Sequence, residues 1–115
     1  MREQTAHVQV NSGATVSGVA AIIGAEFVGF VLPTSIGAQV FAQAATDTLS
    51  ASFARLQAET NSVGAMSING DWTVTSGNAA RAISLGELVK PFPYLRFELS
   101  AAATLTHSIA VVAKY

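Results

Sequence analysis

Residues 91–115, PFPYLRFELSAAATLTHSIAVVAKY, carry the clearest strand pattern in the chain and set the fold class. Apolar residues recur along one side of each half: Leu95, Phe97 and Leu99 in the first, and Leu105, Ile109, Val111 and Ala113 in the second. This alternation predicts two strands joined as a hairpin by the small residues 100–103. Because an isolated hairpin is marginal in water, the rest of the chain must supply strands that cover its apolar side.

The upstream sequence alternates strand patterns with turn residues. The patterns cover residues 6–10, 15–23, 26–32, 39–45, 65–68 and 81–85. Pro33 should end the third of these, because proline cannot donate to a sheet ladder, and Asn69-Gly70 predicts a tight hairpin turn. About eight short strands with frequent turns predict an all-β fold, an antiparallel sandwich or barrel. We assign residues 1–12 to an N-terminal arm and edge strand, with residues 1–5 loose, and residues 13–115 to a single β-sandwich domain.

Residues 46–59 allow two interpretations. Leu49, Phe53 and Leu56 have helical spacing, and Thr46 or Asp47 could cap a helix start. The neighbouring segments are strands, however, so we predict a strand over residues 52–57.

The composition points to an assembly. Half of the residues are apolar and only 11% are charged, against about 25% in an average soluble domain. Alanine, serine, threonine and glutamine fill positions that a soluble monomer gives to ionised residues. Charged residues are depleted in the buried centres of interfaces, so much of the surface should be covered by other subunits. The alternative is an ordinary alanine-rich small domain.

Charge and hydropathy exclude two classes of partner. The net charge is −1 and the six lysines and arginines are scattered, whereas nucleic-acid binding needs a basic face. The longest apolar run, residues 18–32, contains Glu26 and is shorter than the about 20 residues that a membrane helix needs. We therefore predict neither a nucleic-acid nor a membrane partner. Glu26 itself should lie at the start of a strand, or else pair with Arg81 or Arg96.

Motifs for catalysis are missing. His7 and His107 are far apart in sequence, and neither has the spacing of a metal site. The chain contains no cysteine, and its glycines do not form a phosphate-binding loop. The sequence therefore predicts no catalytic residue, no cofactor and no metal, and the chain is not expected to be an enzyme.

Two groups of residues are candidates for binding. Trp72 and Tyr94 could form an aromatic platform for a sugar ring, although a lone tryptophan in an all-β domain is more often part of the core. Tyr94, Arg96 and Glu98 share one side of their predicted strand. That side is either exposed to solvent or in polar contact with a neighbouring subunit.

The chain resembles a group of small β-sandwich virion proteins of tailed bacteriophages. The similar segments are residues 26–33, ending in proline; residues 40–44; the aromatic Phe53; residues 81–85; and the closing residues 94–97 and 109–114. These proteins commonly carry an Asp-Gly turn before the aromatic, whereas residues 46–53 are longer here and lack glycine.

The resemblance implies a jelly-roll-like structural protein, most like the head decoration or cement proteins. Such proteins often sit as homotrimers over junctions between subunits of the major capsid protein, on the exterior of the virion. On this interpretation the N-terminal arm reaches a neighbour, and the expected interface residues are Arg2, Glu3, His7, Tyr94, Arg96 and Glu98. The alternative is a carbohydrate-binding or receptor-binding module of a head fibre or tail.

Overall fold

The computed structural model describes residues 2–33, 36–62, 65–71, 73–75, 80–86 and 91–115. Regular structure in this part is β, apart from one 3-10 turn at Ser50–Ser52. The strands are β1 (Glu3–Val10), β2 (Ala20–Ala21), β3 (Phe27–Leu32), β4 (Gln39–Ala45), β5 (Ala54–Arg55), β6 (Gln57–Ser62), β7 (Ala65–Asp71), β8 (Thr73–Thr75), β9 (Arg81–Gly86), β10 (Tyr94–Leu99) and β11 (His107–Lys114). Several have only two or three residues, which is why their number exceeds the about eight predicted.

Nine of these strands form two antiparallel sheets in jelly-roll order. The first sheet runs β1-β11-β3-β9, and the second runs β2-β10-β4, with β8 and β5 both pairing with the far side of β4. From β1 to β4, and again from β8 to β11, successive strands alternate between the sheets, as in two intertwined Greek keys. The prediction of an all-β, antiparallel and jelly-roll-like sandwich is confirmed.

The core lies between the sheets and is made by alternate residues of the central strands. Val28, Phe30 and Leu32 of β3 are buried, and Leu95 and Phe97 of β10 face them from the second sheet. The rings of Phe30 and Phe97 have centroids 4.6 Å apart. The period-two pattern of the sequence therefore identifies the buried faces correctly.

The C-terminal strands do not form the predicted hairpin. β10 belongs to the second sheet and β11 to the first, so the two apolar faces meet across the core rather than side by side. Residues 100–106 cross one end of the sandwich, and Leu105 in this connection is 65% exposed. Local alternation shows that a strand has an apolar face but not which sheet it joins.

Residues 50–62, 65–71 and 73–75 follow β4 at the outer edge of the second sheet, and we call them the insertion. β5 follows the outer edge of β4, the chain leaves this edge after Leu56, and it returns as β8 on the same edge. Between them, β6 and β7 pair as a separate two-stranded sheet. The segment predicted as strand 52–57 is thus a short 3-10 turn followed by β5, and no α-helix forms there.

The predicted turn at Asn69-Gly70 is wrong. β6 and β7 pair from Gln57 opposite Asp71 to Ser62 opposite Ala65, so Asn69-Gly70 does not connect two strands. Asn69 and Gly70 lie inside β7, where the pairing register shifts opposite Ala58. Asparagine and glycine tolerate unusual backbone angles, and such angles occur in a β-bulge as well as in a turn.

The loose N-terminus is also corrected. β1 begins at Glu3 and pairs along its whole length with β11, from Glu3 opposite Lys114 to Val10 opposite His107. The polar residues at its start are ladder residues, since hydrogen bonds of the backbone do not depend on apolar side chains. Within the described part of the chain, no helix is long and apolar enough to cross a membrane.

Candidate interaction surfaces

The solvent side of the first sheet carries exposed apolar residues. On β3, Phe27 is 44% and Val31 is 37% exposed, although the strand is central in its sheet. The pairing register places Val31 between Ala110 and Ala82, and Gly29 beside Val112. We call this surface the outer apolar face: Phe27, Gly29, Val31, Ala82, Ala110 and Val112.

Charge is confined to one end of this face. Lys114 is the neighbour of Phe27 in the ladder, and its Nζ lies 3.9 Å from an oxygen of Glu3 on β1. The remaining positions of the face have small or apolar side chains. Within the described residues, one side of β3 packs in the core and the other side is left partly exposed.

A shallow depression crosses the outer apolar face at Gly29. It measures about 490 Å³ and is lined by Phe27, Gly29, Ser84, Val112 and Lys114 among others. A side chain at position 29 would bring its Cβ within 3.0 Å of the carbonyl oxygen of Ile83, because β9 approaches closely at a bulge. The glycine therefore both permits the strand pairing and leaves the depression open.

The second sheet carries a polar network on its solvent side. Arg55 Nε lies 2.7 Å from Glu98 Oε1, and its Nη2 lies 3.1 Å from Oε2, so the pair is bidentate. Gln43 Nε2 donates to the same carboxylate at 3.0 Å. The Arg55 guanidinium also stacks over the ring of Phe41, 3.9 Å from its centroid. The hydrogen bonds from Arg55 hold the pKa of Glu98 below its usual value, with a smaller opposing effect of burial.

Arg96 extends this network beneath the insertion. Its side chain is buried, its Nε donates to the Gln43 oxygen, and its Nη1 donates to Ser50 Oγ at 3.0 Å. The guanidinium lies 4.3 Å from the centroid of the Phe53 ring. Arg96 thus fastens the 3-10 turn to β10, and its donors are used within the chain. Arg96 is therefore not open to solvent, and the contact of this polar side with a neighbouring subunit stays a prediction.

The other predicted interface residues are spread over the molecule. Arg2, Glu3 and His7 lie at or on β1 at the edge of the first sheet, and all three are exposed. Tyr94 begins β10 in the second sheet and is half-buried. The structure therefore groups Arg96 with Glu98 but does not bring these two together with the β1 residues.

The remaining sequence candidates give no chemical site. Trp72 lies outside the described residues, so the predicted platform with Tyr94 is left as a prediction. His107 is buried, and its Nε2 has no hydrogen-bond partner among the described residues. No group of three or more metal-ligating side chains occurs in the described part of the chain. Glu26 is exposed and directly precedes β3, at the start of the strand as predicted.

Two backbone features are further candidates for interaction: the first lies in the predicted edge strand, and the second was not signalled by the sequence. The first is the outer edge of β1, which has no strand partner among the described residues. The second is the hairpin of β6 and β7, whose strands pair with each other and, among the described residues, make at most marginal contact with other elements. Both features depend on which strands become neighbours, and this is a property of the whole topology.

Comparison with known proteins supports the fold. No protein-family model and no curated protein matches the chain. A solved structure described as the SPBc2 prophage-derived protein YomS is similar, with a TM-score of 0.57 over 98% of this chain and 95% of that one, at 9% identity. RmlC from Streptococcus suis, in complex with dTDP-D-xylose, aligns with a TM-score of 0.42 at 5% identity over 99% of this chain and 44% of that one. The first likeness shows a shared fold, and the second carries no argument.

Proposed function

We propose that the chain is a non-enzymatic structural protein of a bacteriophage particle, which binds the outside of the capsid as a decoration or cement protein. The observation that carries this proposal is the outer apolar face, where Phe27 and Val31 are exposed at the centre of a regular sheet. The similarity in fold to a prophage-derived protein supports a phage origin. Jelly rolls are also a recurrent architecture of viral capsid proteins.

The outer apolar face has the physical properties of a docking surface. A sheet face is flat, and its alanine, glycine and valine residues cost little to dehydrate because they carry no charge. Burying exposed apolar side chains such as Phe27 and Val31 is favourable, at roughly 25 cal/mol for each Å² removed from water. The partner that we propose for this face is the major capsid protein.

A trimer gives this surface sufficient affinity. Three strands about 4.8 Å apart and about six residues long make a face on the order of 300 Å². This is less than the roughly 800 Å² per partner of a typical stable interface. Three linked copies over a junction of capsid subunits would bind together, and the effective concentration of each further contact raises the total affinity. We therefore propose a homotrimer that spans capsid junctions and stabilises the shell.

The proposal is tested by binding to phage heads that lack the protein. Phe27→Lys and Val31→Lys place a charge on the outer apolar face. Leu105→Lys is the control, because it places the same charge away from this face, at a residue that is 65% exposed in the connection between β10 and β11. We expect wild type and Leu105→Lys to co-sediment with heads and to raise their resistance to heat. Val31→Lys should lose at least tenfold in affinity.

Two results would overturn the proposal. One is equal head binding by all of these variants, because the face would then have no part in docking. The other is a chain that does not bind heads at all and instead changes its tryptophan fluorescence when sugars are added. That result would support the carbohydrate-binding alternative.

A further inference from the structure

We propose that copies of the chain associate head to tail by strand addition, with β7 of one copy pairing with the open edge of β1 of the next. This inference rests on the proposed trimer and names the contact that would form it. The donor hairpin and the acceptor edge are both present in one chain. The molecule therefore carries both halves of the contact.

The acceptor edge is defined by the hydrogen-bond phase of β1. Arg2 and Tyr115 exchange both backbone hydrogen bonds, at 3.2 and 2.7 Å. In an antiparallel ladder such pairs alternate with pairs that are not bonded to each other. The N–H and C=O groups of Glu3, Thr5 and His7 therefore point away from β11, towards the open edge. The next group in this series, the carbonyl of Gln9, already accepts the N–H of Gly18 at 3.0 Å.

The open edge lacks the usual protection against pairing. Natural edge strands are commonly short or carry lysine, proline or a bulge that hinders strand addition. β1 has eight residues in continuous register, with no proline, lysine or bulge, and its one acidic residue, Glu3, is at its first position. It can therefore accept a strand of six or seven residues, which is the length of β6 and β7.

A cleft next to this edge also requires cover. It measures about 170 Å³, lies between β1 and the short β2, and four of its nine lining residues are alanines: Ala6, Ala20, Ala21 and Ala113. The inward side of β1 is open here because β2 has only two residues. An added strand with apolar residues at alternate positions would close this side of the sandwich.

β7 has the sequence and the situation of a donor strand. Met66 and Ile68 alternate with Ala65, Ser67 and Asn69, which is the pattern of a strand with one apolar side. Its hairpin forms a two-stranded sheet by itself, and such a sheet is marginal in water without a third strand. Pairing with a neighbour would supply that strand.

The positions of donor and acceptor fix the kind of assembly. β1 and β2 lie on one side of the sandwich, whereas the hairpin leaves from the edge formed by β5 and β8 on the opposite side. A contact between two different surfaces on opposite sides is heterologous, and it forms a closed ring when the rotation between copies permits. Charge favours it modestly: residues 57–71 contain Glu59 and Asp71 and no cation, and the rest of the chain, with six cations and five acids, is net +1.

The test blocks the acceptor edge without removing a ladder hydrogen bond. Thr5→Pro deletes the outward N–H, whereas Thr5→Ala retains it and serves as the matched control. We expect light scattering to give wild type and Thr5→Ala three times the chain mass of 11.8 kDa and Thr5→Pro a single chain mass, with unchanged far-ultraviolet spectra. A trimer that survives in a folded Thr5→Pro variant, or a monomeric wild type, would overturn the inference.

Complementation distinguishes this contact from a symmetric one. In a second variant, residues 58–70 are replaced by a two-residue Asn-Gly turn, which removes the donor and leaves β1 intact. Alone, this variant should be monomeric, but mixed with Thr5→Pro it should form a complex of one copy of each. No such complex at any concentration in a sedimentation series would refute head-to-tail donation.

These measurements are independent of head binding. If the strand-addition contact is wrong but the proposed function is right, Thr5→Pro will still bind heads as a trimer. If the proposed function is wrong, the wild-type trimer will form in solution and fail to bind heads.

Discussion

Arg55 and Glu98, 43 positions apart in sequence, form a bidentate ion pair that links the insertion to the second sheet, with Nε–Oε1 and Nη2–Oε2 distances of 2.7 and 3.1 Å. The Glu98 side chain retains only 24% of its exposure. A pair with this geometry and partial burial is stronger than an ordinary surface ion pair. It should therefore contribute measurably to the stability of the sandwich.

Replacing Glu98 by glutamine should weaken the fold. The variant loses the ionic hydrogen bonds from Arg55 and Gln43, so we expect the free energy of unfolding to fall by about 1–2 kcal/mol in urea titrations. Glu3→Gln is the matched control, since the carboxylate of Glu3 lies 3.9 Å from Lys114 and both side chains are more than half exposed. The control should change stability by less than about 0.5 kcal/mol. Equal effects of the two substitutions would contradict this prediction.

The same pair predicts how stability depends on pH. The pKa of Glu98 is lower in the folded protein than in the unfolded chain, chiefly because Arg55 donates to it. The folded state therefore binds the proton less readily, and the stabilisation is complete above the unfolded pKa and lost as pH falls through the folded value. Urea titrations from pH 7 to pH 3 should show the wild type losing more stability than Glu98→Gln. An equal loss of stability in both proteins would show that other groups control the unfolding free energy at low pH.

Arg96 should contribute more to the stability of the fold than the exposed arginines do. Its buried guanidinium donates to Gln43 and Ser50 and packs on Phe53. Arg96→Met removes these hydrogen bonds and releases the 3-10 turn, so we expect a loss of about 2–3 kcal/mol. Arg96→Lys should recover only part of it, because an ammonium cannot reproduce the planar fork. Full rescue by lysine, measured by thermal unfolding, would show that charge alone accounts for the effect.

Local signals in the sequence predicted the individual strands well. β4 spans Gln39–Ala45 as expected, and β3 ends immediately before Pro33. Period-two alternation and the missing N–H of proline determine the local structure of only a few neighbouring residues. Both signals can therefore be interpreted without knowledge of the fold.

The pairing of strands could not be predicted in the same way. β10 and β11 were expected to be neighbours, yet β10 lies beside β4 and β11 beside β1 and β3. The exposed side of β3 follows from this arrangement, so the outer apolar face was missed, although an edge strand was predicted within residues 1–12. Likewise, Arg96 and Glu98 were placed on one side of a strand, but their partners Arg55 and Gln43 come from strands whose proximity depends on the topology.

His107 offers a test of core polarity. Its Nε2 is buried without a hydrogen-bond partner among the described residues, and an unsatisfied buried polar atom costs about 1–3 kcal/mol. His107→Leu removes that atom at similar volume, so we expect the melting temperature to rise by roughly 4 °C. His7→Leu, on the exposed side of β1, should leave the melting temperature nearly unchanged. A marked fall for His107→Leu would mean that the imidazole is satisfied in solution and supports the core.

Gly29 gives the sharpest test of the sheet geometry. An alanine there would place its Cβ 3.0 Å from the carbonyl oxygen of Ile83, an atom of the paired backbone that cannot rotate away. We expect Gly29→Ala to lower the free energy of unfolding by about 1 kcal/mol, the strain exceeding the entropic gain of replacing glycine. Gly18→Ala is the control, because a Cβ at that position meets nothing within 4 Å. It should be neutral or slightly stabilising. If Gly29→Ala proved as stable as Gly18→Ala, β9 would not approach β3 as closely as described. The shape of the depression on the outer apolar face would then also be incorrect.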